Sequence, residues 1–225
     1  MASEQRLLCF AFEIFFLMLQ YMSNIKNLTL VRSALLAGVC IGIAGFGYLA
    51  VGGIVGAVTF AFGLLAVVHY RLKLYTGTAG FFVKGEFAQL CAILGMNIVG
   101  CLLVALMARL SPMPLQETAQ GILQARLNTG YWQCGVLAIG CGFIMTTAVK
   151  WGREGKFLPL LFGVPLFIVC GFPHCVADVF YYLTVPTDFL MANCAQVLLL
   201  YACIVAGNFV GCNFYRWVVG HNDAA

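Results

Sequence analysis

Cys170-Gly171-Phe172-Pro173-His174-Cys175-Val176-Ala177-Asp178 sits inside an apolar stretch that runs from Phe157 to Leu183. A bilayer-spanning helix needs roughly 20 mainly apolar residues, and this stretch is long enough, yet its middle carries a proline, an imidazole and a carboxyl. Pro173 lacks an amide donor and its ring clashes with the preceding turn, while Gly171 permits dihedrals outside the helix. The helix is therefore predicted to unwind there. Non-helical backbone at membrane depth persists only where protein buries it or a wet cavity meets it. An ionisable side chain within a span is a functional-site candidate by default, so His174 becomes the first candidate.

The rest of the chain agrees that lipid is the solvent. Of 225 residues, 63% are hydrophobic and 9% charged, too little polar surface to cover a soluble fold. Twelve basic against eight acidic residues give a net charge of +4. The basic residues are scattered, which excludes a nucleic-acid footprint. The eleven cysteines mostly lie in apolar runs with no C-x-x-C pair, so they read as small buried hydrophobes. No metal-ligand spacing appears, and no cofactor is expected.

Cutting the chain at charges, prolines and polar clusters leaves six long segments: Leu28 to Val51, Gly53 to Phe82, Phe87 to Leu110, Leu127 to Val149, Phe157 to Leu183 and Phe189 to Tyr215. An all-α membrane protein of six transmembrane helices follows, with the pore domain over 28–219 and a short polar tail at 220–225. Between the third and fourth segments, Ser111 to Gln124, with Pro112, Pro114 and Glu117, reads as a loop. Ahead of them, Arg6, Glu13, Gln20 and Asn27 recur every seven residues, which on a helix makes one polar stripe and predicts an interfacial amphipathic helix in 1–27. Cytoplasmic loops carry the excess of Lys and Arg. Arg6, Lys26, Arg32, Arg71, Lys73, Lys84, Lys150, Arg153, Lys156 and Arg216 fall with the amino terminus, and only Arg109 and Arg126 on the other side. Both termini are expected in the cytoplasm.

Segments three and six share a core, Asn97-Ile98-Val99-Gly100-Cys101 and Asn208-Phe209-Val210-Gly211-Cys212, 111 positions apart. Three spans per half would insert the second copy upside down, an inverted repeat. The middle span of the first half then answers to the one that holds His174, and it too carries polar residues, His69-Tyr70-Arg71-Leu72-Lys73-Leu74-Tyr75-Thr76-Gly77-Thr78. Spans two and five are both predicted to break, and paired breaks mark a transport pathway whose half-helix N-termini offer partial positive charge to an anion.

These residues resemble the formate/nitrite transporter family. Its L-F-T-[GS] loop stands here as Leu74-Tyr75-Thr76-Gly77, and its G-F-E-H-[SC]-[IV]-A-N motif as Gly171 to Asp178. Its G-N-[LI]-[IV]-G elements are similar to Asn97–Gly100 and Asn208–Gly211. The resemblance implies an aquaporin-like bundle with a pore in each protomer and a homopentamer in the cell membrane. It also assigns roles. The central pore histidine falls on His174 and the loop threonine on Thr76. The outer constriction falls on Phe60 and Phe167, the inner one on Leu64, Leu74 and Tyr75. An anion-attracting base at the start of span four falls on Arg126. Three residues depart from the family: Lys73 and Pro173 stand where acids are usual, and Asp178 stands for asparagine. Lys73 and Asp178 are accordingly expected to have become partners.

A small monovalent anion enters an apolar constriction at high cost as an ion and at much lower cost as the neutral acid. A histidine, with an ordinary pKa of about 6.5, suits protonation at that point. Formate is the leading substrate, with nitrite and hydrosulfide as near alternatives and protons as the coupled species. A neutral-solute channel of the aquaporin type is a second reading. An intramembrane enzyme using His174, Cys175 and Asp178 is a weaker third, because positions 174 and 178 share a helical face that 175 does not. Asn97 and Asn208 either satisfy backbone groups freed at the breaks or join packed helices.

Overall fold

The computed structural model describes residues 28–81, 83 and 85–220. The amphipathic helix expected within 1–27 and the tail beyond Gly220 lie outside the described residues. Among the described residues the chain forms ten helices: α1 Leu28–Val51, α2 Gly53–His69, α3 Tyr75–Ala79, α4 Phe87–Arg109, α5 Leu115–Thr129, α6 Tyr131–Arg153, α7 Leu158–Val169, α8 Cys175–Thr184, α9 Thr187–Ala192 and α10 Cys194–Val219. Four of them, α1, α4, α6 and α10, are long and apolar enough to cross a membrane. The pairs α2/α3 and α7/α8 are the interrupted rods that the two polar stretches predict.

The two interruptions are built alike. At the first, Arg71 N–H donates to Val68 O and Leu72 N–H to Val67 O; at the second, Gly171 N–H donates to Ile168 O and Phe172 N–H to Phe167 O. Each is a Schellman ending, whose penultimate residue must take the left-handed conformation. Gly171 does so at φ 67°, where glycine meets no steric penalty, and Arg71 does so at φ 53°, where a side chain costs about 1–2 kcal/mol. The chain then runs extended through Leu74 (φ −96°, ψ 139°) and His174 (φ −115°, ψ 113°) before the second half-helix starts.

The packing repeats in the same way. Helix α1 crosses α4, and α6 crosses α10. Both crossings are close enough to need glycine: a Cβ on Gly38 would lie 2.2 Å from Asn97 O, and one on Gly142 would lie 2.3 Å from Asn208 O. Each second half-helix packs on the other repeat, α8 on α4 and α3 on α10. The inverted repeat is thus present in three dimensions as well as in the shared Asn-x-Val-Gly-Cys core. The link between the first two spans is Gly52, at φ 68° and followed by Gly53 at φ 56°.

Two sequence expectations are corrected. The stretch expected as a loop is largely helix α5, because Leu115, Ala119 and Leu123 recur every fourth residue and bury one face. The two prolines that suggest a loop sit ahead of that helix, where the missing amide of Pro114 breaks no helical bond. Arg126 therefore belongs to α5. The α6 helix starts only after Gly130, which turns the chain at φ 94°.

Candidate functional site

The centre of the bundle is where the two interruptions face each other. Thr76 Oγ1 lies 3.0 Å from His174 Nε2, and both residues are fully buried. The other ring nitrogen, Nδ1, accepts from Ala177 N–H at 3.1 Å and so caps α8. With Nδ1 committed as an acceptor, the neutral ring carries its hydrogen on Nε2 and donates it to Thr76. Phe167 stacks on the imidazole at 5.6 Å and 27°, and Phe60 meets Phe167 edge-on at 6.2 Å. Leu64, Leu74 and Tyr75 are buried beside them.

The freed backbone groups are satisfied by the two repeat asparagines. Asn97 Oδ1 accepts from Tyr75 N–H at 2.9 Å, while its amide donates to Lys73 O and Ala34 O. Asn208 Oδ1 accepts from Cys175 N–H at 2.8 Å, while its amide donates to Pro173 O and Ala138 O. Both readings of these asparagines hold at once, because each closes a break and ties it to a neighbouring long helix. Two thiols repeat the arrangement: Cys101 Sγ–H donates to Val176 O and Cys212 Sγ–H to Thr76 O.

The expected Lys73–Asp178 pair does not form. Asp178 Oδ1 accepts from Arg126 Nε at 3.0 Å and from Tyr182 OH at 3.2 Å, and its Oδ2 accepts from His174 N–H at 2.8 Å. A carboxylate in the first turn of α8 already suits the helix dipole, and Arg126, which also donates to Gly171 O, is near enough to neutralise it. Lys73 belongs to the other interruption, where its amide donates to Ser33 Oγ. The loss of one acid near each break therefore has separate consequences at the two breaks. The amides of His174, Cys175 and Ala177 are all taken by protein groups, so those three do not point bare donors at a solute. The histidine–cysteine–aspartate cluster weighed for an enzyme is not assembled either, since neither ring nitrogen meets Asp178.

Among the described residues, cavities lie on either side of the buried centre. One, of about 210 Å³, is lined by Phe167, Phe172, Arg126, Asp178, Tyr48 and Tyr181 among others. The other, of about 450 Å³, is lined by residues that include His69, Arg71, Lys73, Gly77 and Arg153. Phe60, Leu64, Leu74, Thr76 and His174 line neither of these cavities, and they are buried. Sequence reading missed the residues that fix the far ends of the half-helices. Arg109 donates to Leu183 O, Val185 O and Thr187 Oγ1 below α8, and Asn213 donates to Ala79 O at the end of α3. In sequence, Arg109 signals only membrane orientation, since a charge at the end of a span is expected to reach water.

Comparison with known proteins agrees with this architecture. The profile of the formate/nitrite transporter family matches residues 18–221. An uncharacterized transporter, YrhG of Bacillus subtilis (strain 168), is 30% identical over 147 residues, 56% of this chain and 55% of that protein, so the chain spans about half the length of that curated relative. Among solved structures, a pentameric formate channel with formate bound superposes with a TM-score of 0.69 at 20% identity, covering 87% of this chain and 99% of the other. An FNT family ion channel superposes with a TM-score of 0.69 at 19% identity, covering 93% and 96%. At these identities the superpositions speak for the fold, and the profile match over most of the chain carries the assignment: this membrane protein belongs to the formate/nitrite transporter family.

Proposed function

We propose that the chain crosses the cell membrane six times, with both termini in the cytoplasm. It assembles as a homopentamer and passes a small monovalent anion, formate foremost, through a pore in each protomer. The observation that carries this reading is the Thr76–His174 contact, an ionisable ring held at the meeting point of two interrupted helices between two cavities. Around it, Phe60, Phe167, Leu64, Leu74 and Tyr75 form an apolar barrier. An ion loses its hydration there with little in return, whereas the neutral acid crosses at far lower cost. Protonation at His174 fits that barrier, and the geometry sets a condition on it. A second proton on the ring must occupy Nδ1, which releases the Ala177 amide at a cost of about 1 kcal/mol. The role of Arg126 changes as well. Because it is paired with Asp178, it shapes the cavity on its own side more than it adds net charge there.

That cancellation of charge favours one second reading, a channel for a neutral solute. Uptake of formate, nitrite and hydrosulfide into proteoliposomes across a pH series, native chain against His174→Phe, separates the two. For anion transport, formate uptake rises as pH falls and the variant loses that dependence. Uptake indifferent to both pH and His174, with glycerol or water passing instead, sinks the anion reading.

A further inference from the structure

The two ends of the pathway share an architecture but differ in charge. In the smaller cavity Arg126, the one arginine among the described lining residues, is neutralised by Asp178. The larger cavity is lined by Arg71, Lys73 and Arg153 together with His69, and among the described residues no carboxylate lines it. The adjacent acid, Glu154, is bound to Lys156 Nζ at 3.0 Å. Arg71 stands at the turn where the other repeat has Gly171, and its backbone is held left-handed at φ 53°. A strained residue that persists where glycine would fit suggests a use for its side chain. Arg153 is aimed as well: its guanidinium donates to Gly77 O at 2.7 Å and lies over the Phe81 ring at 4.7 Å.

We propose that this cavity binds a phosphate-bearing anion through Arg71, Lys73 and Arg153. Three cations lining one cavity match a multivalent anion better than a monovalent one. Guanidinium groups bind phosphate oxygens in pairs, and the lysine adds a point charge. A cavity of about 450 Å³ is the size of small-ligand sites. The site also has a consequence for transport, which rests on the channel reading. One proton does not neutralise a phosphate dianion, so it cannot follow a monovalent acid through the apolar barrier. It stays in the mouth and competes with the permeating solute from that side only.

The probe is pyrophosphate, titrated calorimetrically into the purified full chain in neutral detergent, with chloride at equal ionic strength as the comparison. Saturable binding near one per protomer is expected, weakened about tenfold or more by Arg71→Gly and by Lys73→Gln. Arg71→Gly removes the side chain and relieves the turn, so an unchanged or higher Tm alongside lost binding separates recognition from folding. Pyrophosphate heats no larger than those of chloride, or binding retained in the Arg71→Gly/Lys73→Gln double variant, overturn the site. Repeating the titration in vesicles of phosphatidylcholine, alone or with an equal part of phosphatidylglycerol, identifies the source. Competition by the anionic lipid assigns the site to a headgroup, and its absence assigns it to a free phosphate compound. Because binding is read without flux, pyrophosphate binding in a chain that moves no formate sinks the transport reading alone. Formate flux without pyrophosphate binding sinks this site alone.

Discussion

Asn97 and Asn208 each hold a half-helix at its start, and neither has a substitute within reach that the observed hydrogen bonds reveal. Removing either side chain leaves a buried amide unpaired, at Tyr75 or at Cys175, which costs about 1–3 kcal/mol. Asn97→Ala and Asn208→Ala are expected to lower the thermal midpoint in detergent by similar amounts, since they do equivalent work. Arg126 and Asp178 make a second pair of the same kind. Their side chains are 18% and 2% exposed, and breaking a buried pair from one side costs about 3–5 kcal/mol. Arg126→Gln and Asp178→Asn are each expected to destabilise strongly, and the double variant by clearly less than their sum. Simple additivity in that cycle would show that the two do not interact. His174 and Thr76 were legible in the sequence because an ionisable ring and a polar loop stand out within apolar runs. Arg126 and Asp178 were not legible as partners, because nothing in local periodicity connects residues that far apart. Two departures from the family pattern suggested Lys73 instead, although it lies at the other break.

Helix crossings carry the next set of consequences. On Gly211 an added Cβ would lie 2.0 Å from Ile139 O, against backbone that cannot turn aside, whereas on Gly47 it would meet nothing within 4 Å. Gly211→Ala is expected to cost about 1–3 kcal/mol by forcing α6 and α10 apart. Gly47→Ala, at an open helical position, is expected to gain up to about 1 kcal/mol. Thermal midpoints in one detergent check both, and equal effects would mean that the close crossing is not what holds these helices. The long spans were legible from hydropathy alone, because lipid demands continuous apolar helices. Helix α5 was not, since its polar composition and the prolines ahead of it hide a stripe of only three buried residues, Leu115, Ala119 and Leu123. The breaks showed in their glycines and proline, but the left-handed Arg71 gave no such signal because arginine rarely adopts that conformation.

Across the molecule, the repeat offsets differ between its parts. The asparagines stand 111 positions apart, the broken turns at Arg71 and Gly171 stand 100 apart, and the glycines Gly38 and Gly142 stand 104 apart. The connecting segments have changed length while the hydrogen-bonded frame has not. That frame sets a charged-capable ring in an apolar plug with a cavity at each end, and it is consistent with a solute that gives up its charge to cross. The most direct test is formate uptake into proteoliposomes whose membrane potential is clamped by potassium and valinomycin, with internal pH followed by a trapped dye. A solute crossing as the neutral acid gives a rate that ignores the imposed potential and delivers one proton with each formate. A rate that follows the potential, with no accompanying acidification, means that the ion itself passes and contradicts a central step of protonation at His174.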